Sequence, residues 1–143
     1  MRGRLQIIVA LGIAGMIVSG YALWQHQAPL GSGFCNIGAT VSCDIVNKSA
    51  YAEVLGIPVA LLGILGYAVL ASFAIVALRE VAPSLHLRKC LAGLAVVELA
   101  FSLYLTSIEL FVLGAICIVC VVSQFLIIAI AGLAGSLVAS QRS

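Results

Sequence analysis

Charge is what this sequence has least of. Seven Lys/Arg and five Asp/Glu among 143 residues make only 8%, against roughly 25% in an ordinary soluble domain. So few charges cannot cover a water-soluble globule of this size, which excludes the soluble classes. A formal net charge of +2 gives no basis for binding nucleic acid. Histidine is nearly missing: His26 and His86 stand in different loops, so no paired-imidazole or HExxH metal site forms. There is no glycine-rich phosphate loop, internal repeat or low-complexity linker.

Apolar residues fill the space left by charge, at 64% of the chain. A spanning helix needs about 20 mainly apolar residues to cross about 30 Å of hydrocarbon. Four segments satisfy this: 5–24, 57–78, 91–113 and 115–138. Arg2 and Arg4 ahead of the first resemble a signal-peptide start. Its apolar run exceeds the usual h-region of about 7–15 residues, so it reads as a retained helix. The expected fold is all-α: one membrane domain over 1–143, a four-helix bundle with a long loop at 25–56.

Basic residues orient the bundle. Arg2, Arg4, Arg79, Arg88, Lys89 and Arg142 fall at one end, and Lys48 alone at the other. The positive-inside rule then places both termini in the cytoplasm and loop 25–56 outside. Trp24 and Tyr51 fall near the outer interface, where amphipathic aromatics are favoured.

This orientation sorts the cysteines. Cys35 and Cys43 lie in the outer loop, and Cys117 and Cys120, in "GAICIVC" at 114–120, open the last span on the same side. Cys90 is alone at the cytoplasmic end of span three and reads as structural. The outer face of a bacterial membrane is oxidising and the cytosol reducing. A Cys-x-x-Cys at a helix start gains thiolate character from unpaired amides and the helix dipole. Three readings of the four thiols stay open at this point: a redox relay, permanent disulfides that staple the loop to the bundle, or a tetrahedral zinc site. Zinc is disfavoured because an oxidising compartment competes for the thiols and no second CxxC completes the spacing.

Polar residues inside the spans add detail. Glu98, Ser102, Thr106 and Glu109 make a stripe on span three, since eleven residues separate the two carboxylates and three turns take about 11. Glu98, deepest, leaves hydrogen bonding and function both open. Glu109, nearer the interface, reads as a solvated carboxylate. Gln124, one turn beyond Cys120, either packs against a helix or donates to a quinone carbonyl. In "VSCDIVNKSAYAEVLGIP" at 41–58, Val41, Ile45, Val46, Ala50, Val54 and Leu55 suggest a short amphipathic surface helix whose apolar face covers the bundle. Gly56 and Pro58 mark the turn into span two.

The chain resembles the vitamin K epoxide reductase family, in its bacterial branch. The resemblance rests on Cys35 and Cys43, Ser49 six residues after Cys43, "LGIP" at 55–58, "YLTSIELFVLGAICIVC" at 104–120 and the four-span layout. It implies a bundle around a quinone pocket, with ubiquinone or menaquinone as acceptor and no metal. It implies a thioredoxin-fold partner outside the membrane that exchanges with Cys35. Cys43 then passes electrons to Cys117 through a mixed disulfide, Cys120 is the thiolate beside the quinone ring, and Ser49 helps orient the loop. Many bacterial relatives carry a fused thioredoxin-like domain, for which 143 residues leave no room, so a separate partner is expected. Vertebrate members have tyrosine where this chain has Gln124, and an asparagine early in span two where apolar residues surround Pro58. These departures point away from vitamin K epoxide and leave quinone reduction intact.

The expected function is therefore a thiol:quinone oxidoreductase of a prokaryotic inner membrane, supporting disulfide formation in exported proteins. The first turn of span four is expected to wall the ring with Ile116, Val119 and Val122, and Gln124 to offer an amide donor. The alternative is a non-catalytic membrane protein whose outer loop is stapled by structural disulfides.

Overall fold

The computed structural model describes residues 1–29, 31, 35–38 and 40–140; Arg142 lies outside them. Among the described residues, four helices are long and apolar enough to cross a membrane: α1 (Arg2–Gln27), α3 (Val59–Arg79), α4 (Leu85–Ile108, continued by a π-helical turn at Glu109–Leu113) and α5 (Ile118–Ala139). Between α1 and α3 lie a one-turn helix α2 (Cys43–Asn47), a 3₁₀ turn (Ala50–Ala52) and a two-stranded ribbon of β1 (Glu53–Val54) and β2 (Ile57–Pro58).

Each boundary has a local cause. Ser84 starts α4 earlier than position 91, because its hydroxyl accepts the Leu87 amide at 3.1 Å. Ile57 and Pro58 pair with Val54 and Glu53, so span two becomes helical only at Val59. Leu55 and Gly56 both have positive φ, 55° and 80°, the backbone that a two-residue hairpin turn requires. At the other end, Gly114 takes the left-handed conformation that closes α4. Ala115–Cys117 is therefore not helical, and the last span opens at Ile118 rather than 115.

The helices form a bundle with two separate buried clusters. Leu5, Ile8, Leu70, Leu91, Ile130 and Leu137 belong to the one at the end rich in basic residues. There Arg4 donates to the Ser136 carbonyl at 3.3 Å and Arg88 to that of Leu137 at 3.2 Å. Both cations meet the last turn of α5, where the helix dipole is negative. The Arg4 contact also sets the start of α1 beside the end of α5. At the opposite end Ala22, Cys35, Cys43, Cys117 and Val119 make the second cluster.

Small residues let α1 and α3 approach closely. The Gly15 position abuts the Tyr67 ring so tightly that a Cβ there would lie 2.3 Å from it. Close backbone approach at small residues is how helices associate in lipid. Large apolar side chains such as Ile17, Val97 and Phe125 face outward. Lipid replaces water against such faces, while every helix satisfies its own backbone.

The segment between α1 and α3 differs from the expected amphipathic helix. Helix α2 is short, and it buries Cys43, Asp44 and Asn47. Ile45, Val54 and Leu55 are exposed, and of the expected apolar face Val46 packs against the sulfur cluster. The reason is the latch below it. Asp44 Oδ2 accepts from the Asn36 amide at 2.9 Å and the Gly31 amide at 2.5 Å, which turns the polar side of α2 inward. Lys48 Nζ donates to the carbonyls of Ala28 and His26, and His26 Nδ1 to that of Asn47. These bonds tie α2 to the end of α1.

Candidate active site

Cys35 and Cys43 form a disulfide with Cα atoms 5.8 Å apart. The Cys117 thiol lies 3.2 Å from the Cys43 sulfur. A thiol in contact with one sulfur of a disulfide is the ground-state arrangement of thiol–disulfide exchange. Backbone pairing produces it. Val41 and Ile116 make a parallel bridge, in which Ile116 donates to Thr40 at 2.7 Å and accepts from Ser42 at 3.1 Å. The bridge lies one residue before Cys117 and two before Cys43, so it sets the two sulfurs in register. Ser42 strengthens the same corner by capping α2.

Cys117 is the N-cap of α5, and its sulfur accepts the Cys120 amide at 3.4 Å. A hydrogen bond from the Cys120 side chain, helped by the Cys120 amide, holds Cys117 below the ordinary thiol value. These donors prevail over burial and the nearby Glu109 carboxylate, which push the other way. The low-lying thiol is therefore the one that touches the loop disulfide, and a thiolate is the reactive species.

Cys120 faces inward onto a cavity of about 360 Å³. Its apolar wall includes Leu62, Phe101, Leu105, Leu113, Val119 and Ile127, and its polar groups include Tyr67, Glu98, Ser102, Thr106, Glu109 and Ser123. All four members of the polar stripe on α4 line this space. Tyr67 Oη donates to the Ser123 carbonyl at 2.8 Å. Glu109 is buried rather than solvated. Its carboxylate accepts the Cys117 amide at 3.3 Å and is a side-chain hydrogen-bond partner of Cys120.

The structure brings Cys35, Cys43, Cys117 and Cys120 together and leaves Cys90, a free thiol, on α4. Ser49 lines the cavity and donates to the Val46 carbonyl at 2.8 Å, tying the end of α2. Of the expected wall, Val119 lines the cavity, and Ile116, Val122 and Gln124 do not. Ile116 precedes the helix and is engaged in the bridge. At 100° per residue the cavity side of α5 continues from Cys120 to Ser123 and Ile127, leaving Val122 exposed. Gln124 turns to α4, where its Oε1 accepts from Ser102 and Thr106.

Sequence reasoning missed Gln25, Asn47, Tyr67 and Ser123. Two signals were available by periodicity: Asn47 is four residues after Cys43 and Ser123 three after Cys120, each on the same helical face as its cysteine.

The family model described as the vitamin K epoxide reductase family matches residues 6–134. The chain belongs to the vitamin K epoxide reductase family. Membership and the sulfur geometry together make this a multi-pass membrane oxidoreductase of thiols and disulfides. Like the family at large it is a membrane helical bundle, and the two cysteine pairs meet at one end of that bundle.

Proposed function

We propose that this member of the vitamin K epoxide reductase family passes electrons from a thioredoxin-fold protein outside the cytoplasmic membrane of a prokaryote to a membrane quinone. One observation carries the reading: Cys117 touches the loop disulfide on one side, while Cys120, one turn on, faces the cavity. The volume of about 360 Å³ falls within the range of about 300–1,000 Å³ typical of small-molecule sites. Its mainly apolar wall with a few hydroxyls and carboxyls suits a quinone ring with its isoprenoid tail toward lipid.

The proposed chemistry balances. A partner dithiol reduces the Cys35–Cys43 disulfide and leaves as a disulfide, giving two loop thiols. The Cys43 thiolate attacks Cys117 of a Cys117–Cys120 disulfide, and Cys120 leaves as thiolate. Cys35 then attacks Cys43, re-forming the loop disulfide and freeing Cys117. The structure has the covalent state that follows this step, with one disulfide in the loop and thiols at Cys117 and Cys120. Cys117 and Cys120 finally give two electrons and two protons to the quinone and close their own disulfide. Cys35 is buried, so exchange with a folded partner requires the outer segment to open. Ser49, by fixing the end of α2, orients that segment.

The test uses the protein in proteoliposomes containing ubiquinone or menaquinone, with a dithiol as reductant and quinone absorbance as readout. Wild type is expected to reduce one of them and Cys120→Ser neither. Reduced Cys117 and Cys120 that persist in the presence of both quinones refute the reading. For the partner, Cys43→Ala leaves Cys35 unable to be resolved from within, and a thioredoxin-fold protein is expected in mixed disulfide with it.

A further inference from the structure

Two buried amides flank the sulfurs that carry charge during exchange. Gln25, near the end of α1, and Asn47, on the last turn of α2, are both more than nine-tenths buried. Gln25 Nε2 lies 3.7 Å from the Cys35 sulfur. Asn47 Nδ2 lies 4.0 Å from the Cys117 sulfur and donates to Gln25 Oε1 at 3.4 Å. That last bond fixes both amides. With Oε1 of Gln25 occupied by an N–H, its Nε2 is left to point at sulfur. Asn47 spends one N–H on Gln25 and aims the other at Cys117.

We infer that Gln25 and Asn47 are catalytic residues of the relay, their N–H groups holding the thiolates of Cys35 and Cys117 at the two ends of the exchange. The inference rests on the relay reading above. When the Cys117 thiolate attacks Cys43, a Cys43–Cys117 bond forms, the Cys35–Cys43 bond breaks, and the electron pair leaves on Cys35. In the direction of quinone reduction the same atoms run backwards: Cys35 attacks and Cys117 leaves. Either way negative charge sits alternately on two fully buried sulfurs. A buried charge without donors is costly, and preorganised donors aimed at developing charge accelerate a reaction more in a water-poor site than in water. Cys117 has the Cys120 amide as well. Glu109 opposes its ionisation, which makes a further donor more consequential. For Cys35, Gln25 is the side chain within reach among the described residues.

The test needs no quinone. The full chain carrying Cys120→Ser is held in nanodiscs with the loop disulfide closed; the serine keeps the backbone amide and a hydroxyl donor toward Cys117. Exchange releases Cys35 as a thiol, which iodoacetamide alkylates and mass spectrometry counts against time and pH. Asn47→Leu is expected to slow exchange about tenfold or more, the weight of one hydrogen bond to a charged group. It is also expected to move the midpoint of the rate–pH profile upward, because Cys117 loses a donor. Gln25→Leu is expected to slow exchange similarly and move the midpoint less than Asn47→Leu does, because it faces the other sulfur and reaches Cys117 only through Asn47. A general loosening of the loop does not produce that split. If the leucine variants do not fold, Asn47→Asp and Gln25→Glu keep the shape but set a carboxylate against sulfur, and they must slow exchange at least as far. Rates within twofold of the parent with unchanged midpoints, or one identical shift in both variants, overturn the assignment. If the parent itself shows no exchange, the relay reading falls and this inference with it.

Discussion

Removing Cys35 and Cys120 together leaves Cys43 and Cys117 as neighbours, their sulfurs 3.2 Å apart. A disulfide needs about 2.05 Å, so a closure of about 1.2 Å suffices. Diamide, as two-electron oxidant, should therefore bond them quickly in Cys35→Ala/Cys120→Ala. The bond would close a loop of 74 residues, where the native loop disulfide closes 8. In the chain-entropy account these constrain the unfolded state by about 4.5 and about 2.5 kcal/mol. The new bond should then stabilise by about 2 kcal/mol more, roughly thirtyfold in the unfolding equilibrium. A protease site inserted in the exposed connection between α3 and α4 makes the test direct, since it separates Cys43 from Cys117. Cleaved, oxidised protein should run as one band on a non-reducing gel and as two after reductant, and adding Cys117→Ser should give two throughout. Halves that part without reductant after diamide treatment would falsify the sulfur register set by the Val41–Ile116 bridge, and the relay with it.

Three further expectations follow from other parts of the molecule. Gly15→Ala sets a Cβ 2.3 Å from the Tyr67 ring, whereas Gly20→Ala meets nothing within 4 Å; thermal unfolding in detergent should show a loss of about 1–3 kcal/mol for the first and none for the second, and equal behaviour counts against the α1–α3 packing. Because hydrogen bonds to Cys117 favour its ionisation, thiolate-dependent alkylation of Cys117 should set in at lower pH than for an ordinary thiol of about 8.5. The linked stability is present above the unfolded value and lost as pH falls through the depressed one, so a midpoint at or above the ordinary value contradicts the capping geometry. Cys90→Ala should retain full dithiol-dependent turnover, since Cys90 is a free thiol on α4 outside the sulfur cluster; loss of turnover in correctly inserted protein speaks against that placement.

How much was legible in the sequence depended on the range of the interaction. The four spans, the side on which Cys35, Cys43, Cys117 and Cys120 gather, and the polar stripe from Glu98 to Glu109 follow from composition and helical period. These are local properties: a run of about 20 apolar residues must satisfy its own backbone in lipid wherever it packs. Capping and turn chemistry, also local, accounts for the shifted starts at Ser84 and Ile118, though continuous hydrophobicity through Ala115 and Ile116 concealed the break. The burial of α2 was not legible, because Asp44 and Asn36 turn its polar side inward through contacts that no periodicity encodes. That Ile116, Val122 and Gln124 lie off the cavity was not legible for a similar reason. A backbone bridge consumed the first, helix phase exposed the second, and hydroxyls on α4 captured the third. What the tertiary structure alone decided is which sulfurs meet. The 3.2 Å between Cys43 and Cys117 depends on a bridge between strands of backbone more than 70 residues apart in sequence, and such a contact becomes visible only once the chain has closed on itself.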